Sequence, residues 1–202
     1  MVDINKWEFI TPGIPDICFA QDNNPNMTKE EVRCLTLCKV RLKIDSVVYD
    51  IGAGIGTIAI EAALLAKEGL VFAVEKNPPA AAIILKNAKK FGVNNLRLIR
   101  GEAPEALAEL PLADRIIIGG SGGRLKEVLS AAQAKLKPQG RIIVNAITIE
   151  TLATAVKQFA AMGLDEVNTC CLNITRVKQA GRAKIFKGMN PVFLIVGESR
   201  GK

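Results

Sequence analysis

The segment Asp50-Ile51-Gly52-Ala53-Gly54-Ile55-Gly56 sets an acid two positions before three alternating glycines. Glycine tolerates positive φ and lets a ligand approach bare main chain. A helix starting at Thr57 would add unpaired N–H groups and a positive dipole end, which favour a carboxylate or phosphate. The dinucleotide fingerprint needs glycine at position 57, where this chain has threonine. Glu75 ends the next apolar run, 19 residues beyond Gly56, where a carboxylate can accept hydrogen bonds from both hydroxyls of a ribose. The two acids and the glycine triplet form one candidate site.

A second glycine cluster, Gly119-Gly120-Ser121-Gly122-Gly123, follows another apolar run and would let a flat ligand approach closely. Thr28-Lys29-Glu30-Glu31 has the form of a capping box, with Thr28 as N-cap and Glu31 returning to its backbone. Arg33 and Arg124 are candidate partners for substrate carboxylates, or surface charges on helices. The chain has no histidine, which removes Ser-His-Asp and Cys-His catalysis and every His-ligated zinc site. Its five cysteines, Cys18, Cys34, Cys38, Cys170 and Cys171, form no C-x-x-C pair and read as reduced, mostly buried thiols. No metal site is expected, and the sequence identifies no specific catalytic acid or base.

These residues need a scaffold of alternating strands and helices. Apolar runs predict strands at 47–51, 70–74, 96–99, 116–118 and 141–144. Between them fall helices over 57–67, 78–91 and 124–136, and a fifth segment at 149–162 ends at Gly163. Pro78 and Pro79 start their helix, and Gly92 stops it. Two strand-like runs, 164–174 and 191–196, have no helix between them, only a basic, glycine-containing connector at 176–188. The pattern predicts an α/β fold with a mostly parallel sheet and an antiparallel hairpin at one edge. Residues 1–27, rich in Pro, Gly and Asn, read as an irregular arm.

A chain of 202 residues fits one domain, 1–202, able to bury a core without staples. With 49% hydrophobic and 23% charged residues it reads as globular, and no apolar run approaches the length of a membrane span. Nor is a leader evident at the start, so a cytoplasmic location is expected. The net charge of +7 is concentrated: seven basic residues and one acid lie between Arg176 and Lys202, against 20 basic and 19 acidic residues before them. Such a patch can attract nucleic acid, an anionic membrane or a carboxylate-rich small molecule.

Asp50 to Gly56 with Glu75 resembles the S-adenosylmethionine site of Rossmann-like methyltransferases, whose seven-stranded sheet ends in an antiparallel hairpin. Pro12-Gly13-Ile14-Pro15-Asp16, the segment Met27 to Arg33, Gly101-Glu102-Ala103-Pro104-Glu105-Ala106-Leu107, the Gly119 run and Asn190-Pro191-Val192 narrow the likeness. They resemble the decarboxylating precorrin methyltransferases of cobalamin biosynthesis, of the separate-subunit CbiT type, from about Pro12 to Val196. The resemblance implies S-adenosylmethionine as cofactor, with Thr28, Gly52, Ala53, Gly54, Ile55 and Gly56 beside it. Glu75 would lie on its ribose, and Glu102 and Ala103 near its adenine; the family more often has aspartate at position 102. Gly120, Ser121, Gly122, Arg33 and Arg124 are the substrate candidates. Implied too are methylation of carbon 15 of a cobalt-precorrin ring, decarboxylation of the ring C acetate, a homotetramer, and a separate carbon-5 methyltransferase.

Two other readings compete. A transfer-RNA methyltransferase suits the basic segment, but with 4% aromatic residues the chain has few platforms for stacking bases. Asn77-Pro78-Pro79-Ala80 imitates the Asn-Pro-Pro-aromatic motif of enzymes acting on amino groups of nucleic acids, yet follows the wrong strand and lacks the aromatic. A non-catalytic assembly protein would have no use for the intact acid–glycine–acid set. Neither nucleic acid nor membrane is expected as a partner.

Overall fold

The computed structural model describes residues 7–22 and 27–200. The turn-forming residues 23–26 of the expected arm lie outside them, as do 1–6 and 201–202. Nine strands and five α-helices occupy the described residues. The main sheet holds β1 (Val47–Ile51), β2 (Leu70–Glu75), β3 (Leu96–Arg100), β4 (Ala113–Ile118), β5 (Leu136–Ala146), β6 (Asp165–Leu172) and β9 (Val192–Glu198) in the order β3-β2-β1-β4-β5-β9-β6. The pairs among β1 to β5 are parallel, and β9 runs antiparallel between β5 and β6.

The central strands β1, β2 and β4 are buried on both faces, so alternate residues feed two cores. Val48, Ala73, Ile117 and Ile143 meet α1 (Glu30–Val40), α2 (Thr57–Leu65) and α3 (Pro78–Lys90) on one face. Tyr49, Val74, Ile116 and Ile142 share the other with α4 (Leu125–Lys135) and α5 (Ile149–Met162). At the start of α3, Asn77 accepts the backbone N–H of Ala80 at 3.0 Å, and the two prolines occupy the first helical positions, as their fixed φ favours.

Two expectations change. Helix α1 begins at Glu30 behind Lys29, with no capping bond from its own N-cap side chain. Its first N–H is taken by Asp16 Oδ1 at 2.9 Å, from the N-terminal arm, while Glu31 turns away to Arg176. A remote carboxylate thus displaces the local capping box. The basic connector is not a loop either. Thr175–Ala180 (β7) and Ala183–Gly188 (β8) pair antiparallel as a separate two-stranded sheet around Gly181, whose φ of +60° suits the tight turn.

The thiols also differ from expectation. Cys18 is buried, but Cys38 and Cys171 are exposed. In α1 the sheet-facing positions go to Val32, Thr36, Leu37 and Val40, which leaves Cys38 outside. Among the described residues no helix is long and apolar enough to cross a membrane.

Candidate functional site

Sheet order creates the site. Strand β1 has β2 on one side and β4 on the other, so the connections leaving β1 and β4 part and open a crevice at their C-terminal ends. The loops nevertheless touch at their roots. Gly119 and Gly120 donate their N–H groups to Ile51 O, at 2.9 and 3.3 Å, and Gly52 and Ala53 donate to Val74 O. Gly52 has φ +71°, and a Cβ there would lie 2.5 Å from Gly120 O and 2.7 Å from Gly120 N. Only glycine fits this position.

A cavity of about 830 Å³ opens above the crossing. Over β1 and β2 its wall is made by Asp50, Gly52, Ala53, Gly54, Glu75 and Lys76, joined by Glu102 and Ala103 after β3. Gly119, Gly120, Ser121 and Gly122 form the middle. Over β5 and β9 the wall is apolar, with Met27, Val32, Ile147, Ile174, Met189 and Val192. Its polar groups there are Thr28, Lys29, Asn145, Lys187 and Asn190, with no carboxylate among them.

Glu75 fastens the glycine turn: its Oε2 accepts Gly54 N–H and its Oε1 accepts Asn77 N–H, both at 2.8 Å. Each oxygen keeps a further lone pair for a ligand. Glu102 accepts an ion pair from Lys76 at 2.7 Å, and a Cβ on Gly122 would lie 2.4 Å from that same carboxylate. Lys76 and the Gly122 turn thus hold Glu102 at the cavity wall.

Asp50 is buried, and its Oδ2 has no hydrogen-bond partner. Burial, with a smaller push from the charge of Glu75, raises its carboxyl to about 7, against the opposing effect of the Ala59 backbone N–H. The folded value lies above the unfolded one, so the contribution to stability is complete in acid and is lost as the pH rises toward 7. Asp50→Asn should therefore match the wild type near pH 4 and exceed it progressively up to pH 7, by on the order of 3 kcal/mol. Urea titrations at several pH values measure this. Parallel stability curves for the two proteins would remove the buried charge from the account.

Several sequence candidates fall elsewhere. Ile55 and Gly56 do not line the cavity: Ile55 is buried with its carbonyl on Asn87 Nδ2 at 3.0 Å, and Gly56 is the N-cap of α2, packed on Ile84. Arg33 is neither a surface charge nor a substrate contact. It is fully buried, bound to Glu61 at 2.5 Å, Asp16 at 3.3 Å and the carbonyls of Thr28 and Ile14. Arg124 also stands outside the lining, in a two-pronged pair with Glu105. Sequence reading passed over Lys76, Lys29, Asn145 and Lys187. The last lies inside the basic segment already noted, and the alternation through Ile185 and Lys187 was the available signal.

The precorrin methyltransferase domain signature matches residues 18–197. The chain belongs to the precorrin methyltransferase family. A relative from Pyrobaculum calidifontis, named a probable cobalt-precorrin-6B C(15)-methyltransferase (decarboxylating), is 40% identical over 94% of this chain and 97% of its own length. The crystal structure of a precorrin-6y C5,15-methyltransferase from Geobacter metallireducens is similar with TM-score 0.87 and 41% identity, covering 93% of this chain and 98% of that one. That of the precorrin 8w decarboxylase of Methanobacterium thermoautotrophicum gives 0.84 and 39%, over 91% and 98%. Family membership and the sheet order together place the chain among Rossmann-like methyltransferases, and the readings as an RNA-modifying enzyme or an assembly protein are set aside.

Proposed function

We propose that the protein transfers a methyl group from S-adenosylmethionine to carbon 15 of a cobalt-precorrin, with loss of the ring C acetate carboxyl as carbon dioxide, in cobalamin biosynthesis. The observation that carries this reading is the division of the cavity. One half offers bare main chain and carboxylates, and the other is apolar with lysines and no acid.

The first half fits the cofactor. At Gly52 the backbone of Gly120 excludes any Cβ, and Asp50, with its unpartnered Oδ2, lines the same half. When bound, S-adenosylmethionine supplies a methyl on a cationic sulfur. In this reading Gly52, Ala53 and Gly54 hold its amino-acid end, which Thr28 meets from the opposite wall, Glu75 takes the ribose hydroxyls, and Glu102 and Ala103 border the adenine. Gly120, Ser121 and Gly122 let the flat ring approach. The chain's task is alignment and exclusion of water, and orientation of this kind contributes about 7–11 kcal/mol to a displacement. That suits a chain without histidine. Glu75→Ala should weaken binding of S-adenosylhomocysteine by about 1–3 kcal/mol in calorimetry; an unchanged affinity would move the ribose elsewhere.

The reading includes a cytoplasmic homotetramer beside a separate carbon-5 methyltransferase. The hairpin supports assembly, since β7 and β8 have only each other as strand partners among the described residues and Phe186 is 82% exposed opposite exposed Val177. Phe186→Asp should shift sedimentation toward smaller species, and an unaltered tetramer would clear the hairpin of this role.

The reaction itself is tested by incubating the protein with cobalt-precorrin-6B and isotopically labelled S-adenosylmethionine. Mass spectrometry should show a product that has gained the labelled methyl and lost one carbon dioxide. A macrocycle recovered unchanged would reject the assignment.

A further inference from the structure

The substrate half of the cavity contains a lysine whose freedom is itself constructed. In the β7–β8 hairpin Arg176 stands directly across from Lys187. Like charges in such a pair repel, so one of them needs neutralising. The structure neutralises Arg176 alone. Its guanidinium takes both oxygens of Glu31, at 2.8 and 2.5 Å, and reaches Asp16 Oδ2 at 3.2 Å. These pairs hold the Glu31 carboxyl below the usual range and raise Arg176.

Lys187 has no carboxylate partner among the described residues, and of the hairpin's cations it alone lines the cavity. Lys178, Arg182 and Lys184 do not line it. The Arg176–Glu31 pair also ties the hairpin to α1, whose lead-in supplies Thr28 and Lys29 to the same wall. An unpaired ammonium at an acid-free, apolar wall is a receptor for a ring-borne carboxylate.

We infer that Lys187 binds a peripheral carboxylate of the tetrapyrrole and that Arg176 is its positioning residue. The inference deepens the proposed function and rests on it for the identity of the ligand. Arg176 binds no substrate: it fixes the register and position of β8 by docking on Glu31, and it leaves Lys187 as the hairpin cation the ligand meets.

Two readouts separate this inference from the reaction. Binding of uroporphyrin, a planar tetrapyrrole bearing only acetate and propionate side chains, is followed by absorbance. Turnover of cobalt-precorrin-6B gives KM and kcat. Lys187→Gln should weaken uroporphyrin binding and raise KM by roughly ten- to a hundredfold, and Lys187→Glu by more. Lys187→Arg should stay near the wild type, while kcat and the affinity for S-adenosylhomocysteine remain unchanged in all three. Arg176→Gln should raise KM without lowering that affinity, and Arg176→Lys should recover part of the loss. KM and porphyrin affinity within twofold of wild type in Lys187→Glu would overturn the inference even if turnover is intact. If the wild type binds uroporphyrin through Lys187 but turns over no precorrin, the reaction fails and the carboxylate site stands.

Discussion

Arg33→Ala is expected to destabilise the protein by about 3–5 kcal/mol. Arg33 and Glu61 are both buried, and together they hold the N-terminal arm to the body of the fold. Glu61 also accepts the backbone N–H groups of Gly13 at 2.7 Å and Ile14 at 3.2 Å, while Arg33 binds Ile14 O and Thr28 O. Removing the guanidinium strands a carboxylate on α2, a helix whose other buried side chains are Thr57, Ile58, Ala59, Ile60, Ala62 and Ala63. The damage comes from the unpaired charge more than from lost attraction. Replacing both partners, in Arg33→Met with Glu61→Leu, should therefore cost less than Arg33→Ala alone. Chemical denaturation of the wild type, Arg33→Ala and the double variant checks this, and a double variant at least as unstable as Arg33→Ala would contradict it.

Gly52→Ala should reduce methyl transfer more than about 100-fold, the scale on which small displacements of bound reactants act. The added methyl would meet the backbone of Gly120 at 2.5 Å, and neither loop can yield without moving the other. Positive φ adds about 1–2 kcal/mol of local strain for any residue with a Cβ. Gly163→Ala isolates that second effect, because Gly163 has φ +64° and open space around its missing Cβ. It should lose stability and keep activity. Initial rates with saturating substrates distinguish the two variants; an active Gly52→Ala enzyme would show that the crossing of the two loops is not needed for catalysis.

Chemistry confined to a few consecutive residues was legible in the sequence. The turn from Asp50 to Gly56, the acid at Glu75 and the proline start of α3 depend on local backbone geometry, and each stands where its residues imply. What escaped depends on distant partners. Nothing near Thr28 announces that Asp16 caps α1, and nothing near Arg33 announces that Glu61 awaits it. A lone acid inside the run Ile58-Ala59-Ile60-Glu61-Ala62 was the one available hint, since burial of a charge demands a counter-charge. Lys187 was hidden in another way: its charge was visible, but only the pairing of Arg176 with Glu31 distinguishes it from its neighbours.

Crystals grown with S-adenosylhomocysteine give the most direct measurement of where the nucleoside sits. The expected density places the amino-acid end against Gly52 to Gly54 and both ribose hydroxyls on Glu75, beneath an empty apolar half over β5 and β9. Density for the nucleoside in that apolar half, or none in the cavity at saturating ligand, would contradict the assignment.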